Sequence, residues 1–363
     1  MNRVFRTSAI PASAIPRPLG FLATCLMTWG GVFAFLISPA LAQVNGLGPS
    51  PASDFDTVLN LPGDEPVITG GFGESVGGMS GQTVQLNISN GGTLGNNFVA
   101  SFGSEVNISG GTVGRTFLAS GSFGSNPASE VNISGGTIGD SFLTSGDSVV
   151  NISGGTFDFG FTAMGGEINI SGGTIGNGLQ ASIGSELNIS GGTFGDNINI
   201  DSSNLNISGG VVVGNLRISS GSDANISGGT VGSLEVADSE VNISGGTVES
   251  FDVVGAQAQV NFIGSGFQFN GVELDTLLIA DQIDPLQPDQ PFTIVARNIT
   301  LSGFLADGEE FSVELNTGQS SSSNFFGGTS TVTVTLASVP EPSSSAFITL
   351  VVALGLARRR RVS

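Results

Sequence analysis

Carboxylates dominate the side chains of this sequence that could do chemistry. The 363 residues include 30 acids, ten basic residues that are all Arg, and no Lys, His or Tyr. General acid–base catalysis by His or Lys, and metal binding through His, are therefore excluded. Away from the termini, Arg115, Arg217 and Arg297 stand against 29 acids (30 less Glu341), a charge of about −26. Because nothing is present to neutralise phosphates, we expect no binding of nucleic acid.

Six of the acids precede an aliphatic residue at matching places in a repeat: Glu105, Glu130, Glu167, Glu186, Asp223 and Glu240. Stacked in register, like charges repel, so a bridging calcium ion is a candidate cofactor. Solvated acids that keep a repeat protein soluble are the simpler interpretation. A glycosidase needs only two carboxylates, but these acids recur with the repeat, whereas an active site interrupts one. The three interior Arg, which a lyase would need as a base, are far apart, so we predict no enzyme.

The repeat itself is the phrase Asn-Ile-Ser-Gly-Gly-Thr, which returns about every 19 residues, with a decayed copy at Asn261. Branched aliphatics flank each Asn, and this alternation predicts a strand with one apolar face. Paired glycines then allow a tight corner. The repeated Asn residues are Asn87, Asn107, Asn132, Asn151, Asn169, Asn188, Asn206, Asn225 and Asn242.

A period of this length predicts a right-handed parallel β-helix, an all-β solenoid of about ten rungs. Leucine-rich repeats have a similar period, but their leucine spacing and helical segment are absent. Residues 43–83 are predicted to cover the first turn, with Val67–Gly71 as a degenerate rung, and residues 84–270 to form the repeats. Residues 271–338, with strand patterns at 292–295, 299–301, 311–315 and 331–336, predict a small antiparallel β cap.

In such a solenoid the Asn and Ser of each Asn-Ile-Ser point outward and form columns. We expect the Asn amides to hydrogen-bond along the axis and hold the register. The alternative is a flat array of amides and hydroxyls, including the Thr column, that binds polysaccharide or ice through many weak contacts.

The N-terminal residues 1–42 have the features of a signal peptide. Three Arg precede an apolar stretch that ends Ala40-Leu41-Ala42, which places small residues at the −3 and −1 positions for signal peptidase. An uncleaved membrane helix is the alternative, because the stretch is long enough to span a bilayer. Cys25, the one cysteine, lies inside this segment, so the mature chain would contain no disulfide.

The C-terminal residues 339–363 have the features of a second targeting signal. Val339, Pro340, Glu341 and Pro342 precede a short apolar span, which is followed by Arg358, Arg359, Arg360 and Arg361. The arginines favour the cytoplasmic side, so the body would lie outside the inner membrane. This tail closely resembles the PEP-CTERM sorting signal, although the likeness covers only about 25 residues. A plain tail anchor is the alternative, and it leaves Pro-Glu-Pro unexplained.

The resemblance implies processing by an exosortase, a membrane-embedded protease of Gram-negative bacteria. The family is linked to exopolysaccharide and biofilm, and some ice-binding proteins carry the same tail. We therefore expect an exported protein of the cell surface or extracellular matrix, held transiently in the inner membrane by its tail. Its expected role is structural or adhesive, with extracellular polysaccharide as the candidate partner, and a polysaccharide- or ice-binding module is the alternative.

Overall fold

The computed structural model describes residues 57–61, 63, 67–68, 75–76, 84–101, 103–122, 127–275, 278, 285–318 and 324–337. Both predicted terminal signals, residues 1–42 and 339–363, lie outside these residues. The fold is the predicted one, because parallel strands stack into a β-solenoid of about nine turns. Within the described residues, no helix is long and apolar enough to cross a membrane.

Short strands make up the first part of the solenoid, three to a turn in most turns. In chain order they are β1 (Thr57–Leu61), β2 (Val67–Ile68), β3 (Ser75–Val76), β4 (Val84–Ile88), β5 (Thr93–Leu94), β6 (Val99–Ala100), β7 (Glu105–Val113), β8 (Leu118–Ala119), β9 (Glu130–Ile138), β10 (Leu143–Ser145), β11 (Val149–Ile152), β12 (Thr156–Phe157), β13 (Thr162–Met164), β14 (Glu167–Ile170), β15 (Thr174–Ile175), β16 (Gln180–Ser182), β17 (Glu186–Ile189), β18 (Thr193–Phe194) and β19 (Ile198–Asp201).

The last complete turns are single strands that bend around all three sides: β20 (Asn204–Ser219), β21 (Asp223–Ala237) and β22 (Glu240–Val254). After them come β23 (Gln259–Phe269), β24 (Val272–Glu273), β25 (Pro291–Ile294), β26 (Thr300–Leu305), β27 (Glu310–Glu314), β28 (Phe325–Phe326) and β29 (Thr331–Leu336).

Each turn has three sides, which we call faces A, B and C. Face A is formed by the strands that contain the repeated Asn, such as β4, β11 and β14. Face B follows the glycine pair and holds β5, β12 and β15. Face C returns the chain and holds β6, β13 and β16. Because β1, β2 and β3 pair in parallel with β4, β5 and β6, the described part of segment 43–83 extends the same stack.

Aliphatic and aromatic side chains fill the interior in columns, one column for each inward position. On face A the residues on both sides of every repeated Asn are buried, as Val131 and Ile133 show. On face C four phenylalanines follow one another, and their ring centroids lie 5.8, 5.1 and 5.0 Å apart. They are Phe98, Phe117, Phe142 and Phe161. Burial of each such side chain contributes about 1.5–3 kcal/mol to folding.

The two glycines of each repeat are required for different reasons. A Cβ at the first, as at Gly191, would overlap the carbonyl oxygen of Ser171 in the preceding turn. The second, as at Gly192 with φ of 92°, lies in the left-handed region that side chains disfavour. The corner between faces A and B therefore depends on both residues.

The C-terminal segment closes the solenoid with mixed rather than purely antiparallel pairing. As expected, β25 pairs antiparallel with β29, and β26 pairs antiparallel with β27 and with the end of β23. On its other edge, however, β29 runs parallel to β23 and continues face A. This follows from alternation, because Val332 and Val334 stack on the inward columns at Val260 and Phe262.

Candidate functional site

The repeated Asn residues form one continuous chain of hydrogen bonds along face A, which we call the Asn ladder. Each Nδ2 donates to the Oδ1 of the Asn one turn earlier. The ten N···O distances lie between 2.8 and 3.3 Å, and all ten bonds have the same direction. The members are Asn60, Asn87, Asn107, Asn132, Asn151, Asn169, Asn188, Asn206, Asn225, Asn242 and Asn261.

The ladder ends on two hydroxyls of the C-terminal cap. Thr333 and Thr335 each donate from Oγ1 to Oδ1 of Asn261, at 2.9 Å. The decayed copy at Asn261 is thus a full member, and Asn60 adds a member on the N-terminal side. The alternation Val58-Leu59-Asn60-Leu61 is a sequence signal that could have identified Asn60. Nothing in the sequence signals the two threonines, since they meet Asn261 only through the parallel pairing of β29.

The six predicted acids stack beside the Asn ladder as three adjacent pairs. Glu105 lies beside Glu130, Glu167 beside Glu186, and Asp223 beside Glu240. A residue without charge separates one pair from the next, namely Val149 and Asn204. The interruption limits the repulsion that an unbroken column would build up.

Several of these carboxylates also accept the second N–H of a ladder amide. The Oε1 atom of Glu105 accepts from Asn107 at 2.6 Å, and that of Glu167 accepts from Asn169 at 2.8 Å. The acids therefore orient the ladder amides. Among the described residues, no group of three or more Asp, Glu, His or Cys side chains could hold a metal ion.

A second ladder, which the sequence reasoning missed, lies buried at the corner between faces C and A. In each step of this ladder a backbone N–H donates to the Oγ atom of the serine one turn later, at 2.8–3.2 Å. The four bonds run from Gly165 to Ser185, from Ser185 to Ser203, from Ser203 to Ser222 and from Ser222 to Ser239. These serines are at most 4% exposed. The signal was available, because Ser directly precedes the acid-column position in most repeats.

A shallow groove of about 480 Å³ runs along face A between the Asn ladder and the column of repeat serines. It extends from Asn107 to Ser208. The serines are exposed, and several donate only long bonds to the preceding turn, as Ser190 does to the carbonyl of Ile170 at 3.5 Å. The groove therefore presents exposed hydroxyls beside amides that are already bonded to one another.

The outward column of face B, which we call the Thr column, is different in kind. No side-chain hydrogen bond links these hydroxyls to any other described residue, and all but two of the side chains are exposed. Val211, 43% exposed, replaces Thr in one turn. The column consists of Thr93, Thr112, Thr137, Thr156, Thr174, Thr193, Val211, Thr230 and Thr247.

Three charged side chains on successive turns interrupt the regular surface of face C. Arg217, Glu235 and Asp252 stack in register, and Arg217 forms an ion pair with Glu235. The next strand of the stack, β28, covers Asp252, whose Oδ1 atom is buried without a hydrogen-bond partner. Burial, and then the negative charge of Glu235, raise the pKa of Asp252, although Arg217 opposes them.

The third interior arginine, Arg297, holds the cap together by donating to the carbonyls of Ile294 and Ser330.

The structure defines the class of this protein as a capped parallel β-solenoid. Comparisons with protein-family models, with curated proteins and with solved structures find no match to the chain. The sorting-signal residues and the signal-cleavage residues Ala40 and Ala42 lie outside the described residues.

Proposed function

We propose that this protein is an exported, exosortase-sorted β-solenoid of the cell surface or extracellular matrix. It acts as a structural or adhesive element within exopolysaccharide or biofilm and catalyses no reaction. The terminal signals predicted from the sequence support the location, and the solenoid supports the structural role.

The observation that carries the structural role is the Asn ladder. An outward column of free amides could bind a ligand. Here, however, the amides form ten hydrogen bonds between turns and further hydrogen bonds to neighbouring carboxylates. These bonds join each turn to the next along face A, and the buried serine ladder adds bonds between the turns from Gly165 to Ser239. At about 4.8 Å per turn, nine turns form a rod about 43 Å long.

The charge of the protein suits a hydrated matrix. A formal net charge of −20 with few cations keeps the protein hydrated and soluble. The same charge favours a neutral polysaccharide over a polyanionic one as the partner.

The test is the C-terminal peptide and the location of the native protein, measured by cell fractionation and mass spectrometry. A chain that ends near Pro340–Pro342 and is found in the surface or matrix fraction supports the proposal. Deletion of the exosortase should then return the protein, with its tail intact, to the inner membrane. A tail that still ends at Ser363 in wild-type inner membrane would make it a plain anchor and remove the main support for a matrix role.

The second candidate is a polysaccharide- or ice-binding module, and the groove on face A favours it. Its exposed serine hydroxyls can be removed without touching the Asn ladder. Replacing Ser153, Ser171 and Ser190 by Ala should abolish retention on polysaccharide, or adsorption to ice, with an unchanged melting temperature. Replacing Ser182, Ser202 and Ser220, which lie outside the groove, by Ala is the matched control. Equal behaviour of the two triple variants would argue against binding in the groove.

A further inference from the structure

The Thr column of face B repeats one outward residue type along the solenoid, and its hydroxyls form no hydrogen bond within the part of the chain that the structure describes. Face A uses its repeated amides in the Asn ladder. Face C repeats no single residue type, because its outward column changes from aliphatic to neutral polar to charged: Val99, Leu118, Leu143, Thr162, Gln180, Asn199, Arg217, Glu235 and Asp252. The hydroxyls of the Thr column make no bond to the described residues. We propose that face B is a lateral docking surface for a second copy of this chain.

The charge distribution argues for this partner. Acids flank face A and occupy the corner beyond face B, as Asp140 and Asp196 do, so most approaches between two copies bring like charges together. The Thr column carries no charge along its whole length, from Thr93 to Thr247. Two copies that meet along this column keep most of their carboxylates at the margins of the contact, where water screens them. Asp158 and Glu249, two positions after the Thr column in their turns, are the two carboxylates on face B itself, so the contact is weakest at those turns.

Exposed apolar side chains lie on the same face. In the seventh of the nine turns that begin with β4, Val211 replaces the repeated Thr, and Val213, 66% exposed, occupies a position that is Gly in most repeats. Phe159, 63% exposed, lies at the margin of face B. Aliphatic and aromatic side chains of this kind are typical of a protein–protein contact.

The dimensions are sufficient for a weak but specific contact. Eight steps of ~4.8 Å make the Thr column about 38 Å long, and five residues of strand and corner make the face about 16 Å wide. Two copies would bury about 1,200 Å² in total, which is the lower limit for a specific interface. Because the column repeats every turn, a partner can also bind after a shift of one whole turn. Association would therefore be weak in solution and strengthened by high local concentration, as in a matrix.

The test compares two double variants of the exported protein, purified as the cell processes it. Thr174→Asp with Thr193→Asp adds two carboxylates to face B. Gln180→Asp with Asn199→Asp adds two carboxylates to face C in the same turns. Sedimentation velocity is measured up to the highest concentration that remains clear, at low and at high salt.

We expect wild type to associate as its concentration rises, and more strongly at high salt, because salt screens the marginal acids. The face B variant should associate about tenfold more weakly or not at all, since like charges would meet across the contact. The face C variant should behave as wild type, and the two variants should melt at similar temperatures.

A second arm examines the geometry directly. Thr193→Cys should form a disulfide-linked dimer on mild oxidation, whereas Asn199→Cys in the same turn should not. Monomeric wild type at every concentration, or equal loss in the two double variants, would overturn the proposal. So would undisturbed self-association of the face B variant combined with loss of retention on a neutral polysaccharide, because the face would then bind glycan. The inference does not depend on the terminal signals, and wrong sorting would leave these outcomes unchanged.

Discussion

Replacing one member of the Asn ladder should destabilise the solenoid much more than replacing an equivalent surface Asn. Asn188→Ala removes the bond that Asn188 donates to Asn169 at 3.0 Å and the bond that it accepts from Asn206 at 2.8 Å. A net contribution of 0.5–1.5 kcal/mol for each bond predicts a loss of about 1–3 kcal/mol in the free energy of unfolding. The side chain is half-buried, so water can partly replace the lost partners.

The same turn offers a matched control. Asn199 also points outward from a strand, but on face C, and its side chain makes one exposed bond of 3.4 Å to the carbonyl of Asn197. Asn199→Ala changes the same chemical groups and the same strand preference, and it should alter stability by less than about 0.5 kcal/mol. The difference between the two variants therefore isolates the ladder.

The measurement is urea denaturation followed by circular dichroism, together with hydrogen exchange of the backbone amides. Because each turn contacts only its neighbours, Asn188→Ala should increase exchange mainly in β14, β17 and β20. Equal denaturation midpoints for the two variants would refute the reasoning, since the ladder would then contribute nothing that water does not supply.

Three further changes test other parts of the structure. Gly191→Ala should destabilise the solenoid strongly, because the added Cβ would overlap a backbone carbonyl. The control Gly184→Ala meets no atom within 4 Å and should lower the free energy of unfolding by only about 1 kcal/mol, because of its φ of 72°. Thermal melting measures both changes. Ser222→Ala should cost about 1–3 kcal/mol in denaturant unfolding, because it leaves the buried N–H of Ser203 without its acceptor, while the same change at an exposed repeat serine should cost little. Asp252→Asn should stabilise the protein at neutral pH and reduce the gain in stability on acidification. The pKa of Asp252 is raised in the folded protein. Its stabilising contribution is therefore complete below the ordinary pKa of 3.8 and is lost as the pH rises through the folded pKa. Melting temperatures between pH 4 and 8 would check this, and identical pH profiles for wild type and Asp252→Asn would contradict it.

The fold could be predicted because every turn repeats the same local sequence pattern. Aliphatics on both sides of each Asn, a glycine pair that no other residue can replace, and a constant interval leave few alternatives to a stack of parallel strands. The expected Asn ladder follows from the same register, because a residue repeated once per turn meets only its own copies. The buried serine ladder follows the same logic, and its signal was present in the Ser that precedes five of the six acids.

Other features depend on contacts between segments that are distant in the sequence. The parallel docking of β29 on β23, and with it the closure of the ladder on Thr333 and Thr335, joins residues about 70 positions apart. The burial of Asp252 beneath β28 has the same origin. Neither could be read from the repeat, since the cap does not share its period.

The sequence by itself determined the architecture, the Asn ladder and the acidic columns, because periodicity converts one local pattern into a whole surface. Only the tertiary structure decided how the solenoid is closed, which polar groups form internal hydrogen bonds, and which outward columns form none. The physical reason is that hydrogen-bond satisfaction and burial depend on neighbours one turn away and beyond, which residue types alone do not specify.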